Sequence, residues 1–136
     1  MSILLDTNVL SEGVRLKPDK RVDAFLTALN PAEQFVSVLS VGEIRFGIER
    51  LPAGKRRARL EHWLDHELRH DAAGQILPVT AAICDRWARM RVQARRTLPV
   101  LDSLIAATAL HHGLDFATRN TKDFVGLGLR LLDPFA

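Results

Sequence analysis

The sequence predicts an α/β fold: a central, mostly parallel sheet of four to five strands with helices on both faces. Two observations lead there. Short apolar runs of β character alternate with longer stretches whose apolar residues recur at helical spacing. The short runs are also nearly continuous in apolar residues, as strands covered on both faces are. A chain of 136 residues suits a single domain spanning residues 1–136, able to bury a core without disulfides or a structural metal.

The strand candidates are ILLD at 3–6, QFVSVLS at 34–40, QILPVT at 75–80, LDFAT at 114–118 and LRLLD at 129–133. Between them, helical spacing marks VDAFLTAL (22–29), VGEIRFGIERL (41–51), ARLEHWLDHEL (58–68), AAICDRWARMRVQA (81–94) and DSLIAATALHHG (102–113). No repeat, low-complexity tract or Pro/Gly-rich linker marks a boundary.

Composition narrows the class. Hydrophobic residues make up 47% and charged residues 26%, which is ordinary for a globular protein and excludes a disordered one. Cys84 is the single cysteine, so no internal disulfide forms, and it reads as a small buried apolar residue in a protein of the reducing cytosol. The opening MSILLD lacks the basic start and apolar length of a signal peptide, and no run is long enough to span a membrane. The expected location is the cytoplasm.

The net charge is only +3, but the basic residues are grouped: Lys55, Arg56, Arg57 and Arg59, then Arg86, Arg89, Arg91, Arg95 and Arg96. Each group is either a solvated helix face or a phosphate-contacting surface.

In doubly wound sheets, functional groups gather beyond the carboxyl ends of the strands. Asp6 stands there, directly after the first apolar run and with no evident capping duty. Glu43 follows the second strand in a helix that Ser40 would open, Asp102 begins DSLIAATAL, and Asp123 follows the fourth strand through TRNTKD. Three of these have an ordinary structural alternative. Ser40 and Glu43 have capping-box spacing, Asp102 suits a helix N-cap, and Asp123 suits a turn.

Together the four carboxylates read differently. Two of them about 4 Å apart repel by roughly 4 kcal/mol at an effective dielectric near 20. A bound divalent cation removes the conflict, and oxygen-only ligands favour Mg²⁺ or Mn²⁺ over zinc.

LLDTNVLSE at 4–12, SVGEIRFGI at 40–48, DSLIAATAL at 102–110 and ATRNTKDF at 117–124 resemble, in order and spacing, the motifs of PIN-domain ribonucleases, specifically the VapC-type toxins of bacterial toxin–antitoxin pairs. The resemblance implies a PIN-like three-layer fold and a metal-dependent endoribonuclease in which Asp6, Glu43, Asp102 and Asp123 form the acidic quartet. Asp6 and Asp102 would bind the metal directly, while Glu43 and Asp123 would bind a second metal or place the attacking water.

Thr7, Asn8, Thr118 and Asn120 would orient carboxylates or waters. Arg45, Lys55, Arg56, Arg57, Arg119 and Lys122 are candidates for guiding the RNA backbone, and single-stranded or loop RNA is the expected substrate. Cleavage would leave a 5′-phosphate and a 3′-hydroxyl without a protein nucleophile. The family further implies a homodimer, a cognate antitoxin whose C-terminal segment presents an Arg to the acids, and contact with DNA only through that antitoxin.

Two rival readings carry weight. HELRH at 66–70 matches H-E-x-x-H, which would make His66 and His70 zinc ligands and Glu67 a general base, with His62 one turn earlier. A catalytic zinc needs a third protein ligand, and the longer H-E-x-x-H-x-x-G-x-x-H pattern fails at Ala73 and Ile76. The second rival is a non-catalytic PIN-fold module that only binds a partner, against which stands the presence of all four acids. A phosphatase or receiver domain also places an Asp after its first strand, but Asn8 breaks the D-x-D arrangement of the former, and the latter's acceptor Asp has no counterpart after QFVSVLS.

Overall fold

The computed structural model of the protein describes residues 1–71 and 75–136. Five strands form one sheet in the order β3-β2-β1-β4-β5, with β1 at Ile3–Leu5, β2 at Gln34–Ser37, β3 at Ile76–Leu77, β4 at Asp115–Ala117 and β5 at Leu131–Leu132. Every pairing in it is parallel; Leu4 stands opposite Phe35 on one side and Phe116 on the other. Six helices accompany it among the described residues: α1 (Thr7–Gly13), α2 (Lys20–Ala28), α3 (Val38–Glu49), α4 (Lys55–His62), α5 (Ala81–Ala94) and α6 (Val100–His112). The last turn of α4 runs on into a π-helical stretch, Trp63–Asp71.

The three layers follow from the period-2 alternation of side chains along β1. Ile3 and Leu5 point into a core with Val9, Val22, Ile44 and Leu64, which places α1 to α4 on that face. Leu4 points the other way, into Ile83, Met90, Ile105, Phe116 and Phe124, so α5 and α6 cover the second face. All three β1 side chains are buried, which explains why the strand reads as continuously apolar.

The structure corrects several sequence expectations. The second strand stops at Ser37, three residues early, because the Ser37 hydroxyl accepts from the Leu39 amide and opens α3 there. Ser40 is therefore not the cap, and Glu43 lies too far along the helix to complete a capping box. Asp102 is not an N-cap either: Pro99 holds that position for α6.

The third strand shrinks to Ile76–Leu77, since Pro78 offers no N–H to the ladder and Thr80 caps α5. Asp6 does have a capping duty, because the unanticipated helix α1 starts at Thr7 and the Asp6 carboxylate accepts its amide at 2.8 Å. Cys84 is exposed, not buried. No helix among the described residues is long and apolar enough to cross a membrane.

Candidate active site

β1 is flanked by β2 and β4, so the strand order reverses beside it, and in such sheets a crevice lies at the carboxyl ends of the strands at that point. Asp6 leaves β1 and Thr118 leaves β4 at this crevice. The Asp6 backbone amide still bonds to the Ala117 carbonyl at 2.9 Å, which fixes the two exits side by side.

Asp6 is 1% exposed. Its Oδ1 accepts from the Thr7 amide and its Oδ2 accepts from the Thr118 hydroxyl at 2.7 Å. Burial pushes its carboxyl up to about 6, with the charges of Asp102 and Glu43 adding to the rise and the bonds from Thr118 and Thr7 opposing it. Asp102 is also raised, chiefly by burial and further by Asp123, against a long hydrogen bond from Asn120 Nδ2 at 3.5 Å. Asp6 thus sits within electrostatic reach of Glu43 and Asp102, and Asp102 within that of Asp123, although no three His, Cys, Asp or Glu donors already close around one point among the described residues.

The polar residues between the acids form two chains of contacts. In the first, Thr118 donates to Asp6 and accepts from the Asn120 amide at 3.1 Å, and Asn120 in turn reaches Asp102. In the second, Thr7 Oγ1 stands 2.6 Å from Glu43 Oε1 and 2.8 Å from Ser40 Oγ. A hydroxyl has one proton, so when Thr7 gives it to the carboxylate, Ser40 is the donor to Thr7. Ser40, fully buried, is a member of the site that the sequence reading assigned to a cap. The same S-x-x-E spacing was its one clue, because it puts Ser40 one turn behind Glu43 on the same helix face. Asn8 is engaged otherwise, its Oδ1 accepting from the Arg119 amide at 3.3 Å.

The basic candidates divide by their present partners. Arg45 pairs with Asp65, and Arg57 with Glu49 and Glu61, so both brace α3 against α4 and its π-helical extension. Arg119 lies over the Phe135 ring at 4.5 Å. Lys55 and Arg56 edge a groove of about 940 Å³ between α3 and α4, floored by Ile44, Ile48, Leu51 and Trp63, which has Glu43 among its lining residues. Lys122 is exposed.

The H-E-x-x-H match falls on the π-helical stretch, where the His62 and His66 rings stand 4.8 Å apart and His66 and His70 are exposed. No metal-holding group of three arises there among the described residues, and Ala73 lies outside them.

A model of the PIN domain matches residues 3–126. The chain belongs to the PIN-domain family. It is 38% identical to VapC ribonuclease Y4jK of Sinorhizobium fredii, over 98% of this chain and 97% of that one. It is 35% identical to toxin FitB of Neisseria gonorrhoeae, with 98% of each chain covered. Among solved structures, FitAcB from Neisseria gonorrhoeae superposes with a TM-score of 0.91 at 35% identity, covering 98% of both chains. FitAB bound to an IR36 DNA fragment gives 0.92 at 34% identity, over 98% of this chain and 96% of that one. The PIN fold expected from the motifs is therefore the fold observed.

Proposed function

We propose that this single PIN domain is the toxin of a VapBC-type toxin–antitoxin pair and acts as a divalent-metal-dependent endoribonuclease. The observation that carries the reading is the buried carboxylate of Asp6 at the sheet's switch point, facing the charges of Glu43 and Asp102. Relatives named as a VapC ribonuclease and a toxin support the activity and the class.

The donor set fits Mg²⁺ or Mn²⁺. All the donors are oxygens, and the ionised form of Asp6 is opposed by burial and by like charges, a conflict that a hard cation relieves. Mg²⁺ also keeps several waters, so a site with few carboxylates already converged suits it. Asp6 and Asp102 would hold the ion, with Glu43 and Asp123 holding a second ion or a water. When bound, the cation supplies a Lewis acid that makes water more acidic and offsets charge on the phosphodiester.

The chain's own residues do the rest. Thr118 and the Thr7 amide hold both oxygens of Asp6 in place, and the Thr7 hydroxyl holds Glu43. Asn120 links the loop after β4 to Asp102. Arg119 and Lys122, on the segment that follows β4, would steer the RNA backbone toward the crevice, together with Lys55 and Arg56 beside the groove.

That groove also fits the C-terminal segment of an antitoxin. Its floor is apolar, its edge is basic, and Glu43 gives an incoming Arg a carboxylate partner. The solved FitAcB structure and the DNA-bound FitAB structure support an antitoxin partner, through which DNA contact would come. A homodimer belongs to the same reading, with the exposed Val92, Val100 and Leu101 on α5 and α6 as candidate contacts.

The test is RNA cleavage by antitoxin-free protein with and without Mg²⁺ or Mn²⁺, run beside Asp6→Asn. Metal-dependent cleavage that the variant loses supports the reading. Equal cleavage by both proteins, or none by either, removes it and leaves the non-catalytic binding module.

A further inference from the structure

Two side chains, one on α5 and one just past its end, reach the acid-bearing segments. At the end of that helix Arg95 adopts φ 55°, ψ 25°, the left-handed turn that glycine usually fills, and it is the one non-glycine residue with positive φ among those described. The next residue, Arg96, folds back on the loop carrying Asp123. Its Nη2 donates to the Asp123 carbonyl at 2.6 Å and to that of Val125 at 3.4 Å, while Nη1 donates to the Ala94 carbonyl at 3.3 Å. The short turn Thr121–Phe124 has no side-chain cap bond of its own.

The second contact repeats the pattern at Asp102. Trp87 Nε1 donates to Ser103 Oγ at 2.9 Å, and Ser103 donates to the Val100 carbonyl at 3.0 Å, in the first turn of α6. Ser103 is fully buried and adjoins Asp102, and this helix start also lacks a side-chain cap bond. Asp102 and Asp123 therefore stand on two segments without a side-chain cap, one fastened to α5 through Trp87 and the other to the turn that ends α5 through Arg96.

We infer that α5 and the turn that ends it are the frame that sets Asp102 and Asp123 relative to each other, with Trp87 and Arg96 as positioning residues. Arg96 thus belongs to the acidic site's support and not to the RNA-contacting arginines. The inference rests on the nuclease reading above. A shift of the Asp123 loop by a fraction of an ångström changes how two carboxylates meet a cation and a water, which lowers turnover without changing how RNA is gripped.

The experiment compares wild type, Arg96→Ala, Arg96→Lys and Trp87→Phe as full chains, each checked for folding by circular dichroism. It measures kcat and KM for RNA and, separately, Mn²⁺ affinity by calorimetry without RNA. Arg96→Ala is expected to lower kcat by about tenfold or more with KM nearly unchanged, and to weaken Mn²⁺ several-fold. Arg96→Lys should fall between it and wild type, and Trp87→Phe should change kcat and Mn²⁺ affinity in the same direction.

A raised KM with kcat kept would make Arg96 an RNA contact and overturn the inference, as would unchanged kcat and Mn²⁺ affinity. Should Arg96→Ala not fold, Arg96→Lys and Trp87→Phe decide by the same readouts. If the wild type cuts no RNA, the nuclease reading falls and calorimetry alone decides. Weaker Mn²⁺ binding in the variants then upholds the frame, and equal binding ends it.

Discussion

The Thr118 hydroxyl donates to Oδ2 of Asp6 at 2.7 Å, joining residues 112 positions apart across the carboxyl ends of β1 and β4. This bond and the Thr7 amide are what oppose the rise of the Asp6 carboxyl that burial imposes. One hydroxyl thus tunes the residue on which the proposed chemistry depends.

Replacing Thr118 by Val keeps the shape and removes the donor. The Asp6 carboxyl then rises beyond about 6, since its ionised form loses a hydrogen bond. The acid limb of the pH–rate profile is expected to move to higher pH, and stability at pH 7 to fall by about 1–2 kcal/mol. Carboxyl ¹³C shifts of Asp6 across pH check the first point, and urea melts the second. An unmoved acid limb would mean that another group governs it.

Asp6 also makes the metal-free protein pH-sensitive. Its carboxyl lies near 6 in the fold against an ordinary 3.8, so the folded state binds its proton more tightly than the unfolded chain does. This contribution is complete below pH 3.8 and is lost as pH rises through 6, at a cost of about 3 kcal/mol by pH 7. Asp6→Asn should therefore be more stable than wild type at pH 7 by about 2 kcal/mol. Mn²⁺ should raise Tm in wild type but not in the variant, as scanning calorimetry at pH 5 and pH 7.5 with and without the ion would show.

The two serines of QFVSVLS should separate cleanly by function. Ser37→Ala removes the cap of α3 and is expected to cost about 1 kcal/mol of stability with little change in RNA cleavage. Ser40→Ala removes the donor behind Thr7, so Glu43 loses its braced partner and cleavage falls more than stability does. Thermal melts and cleavage rates on the same samples give the comparison, and the reverse outcome would return Ser40 to a structural role.

These serines also show where sequence reading stops. The sheet was legible because β1 is buried on both faces, and Asp6 because it directly follows that strand, whereas Glu43 and Asp102 lie within α3 and α6, where a capping role was an equally good reading. The boundary at Ser37 was not legible, since Val38-Leu39-Ser40 suits either a strand or a buried helix turn, and only the cap chooses. Nor was α1: seven residues are too few for helical periodicity to show. Contacts such as Thr118 to Asp6 or Arg96 to the Asp123 carbonyl join distant segments, and no local pattern announces them.

Arg95 offers the last test, because its backbone conformation and the reach of Arg96 are linked. A side chain at φ 55° carries a steric cost that glycine avoids, so Arg95→Gly should stabilise the fold by about 0.5–1 kcal/mol. Glycine keeps the same turn available, and the Arg96 contacts with the Asp123 and Val125 carbonyls should survive it. RNA cleavage and Mn²⁺ affinity are therefore expected to match wild type in Arg95→Gly. A variant that is more stable yet less active would show that the turn needs the rigidity of a residue with a Cβ to aim Arg96. A less stable one would mean that the Arg95 side chain has contacts outweighing its strain.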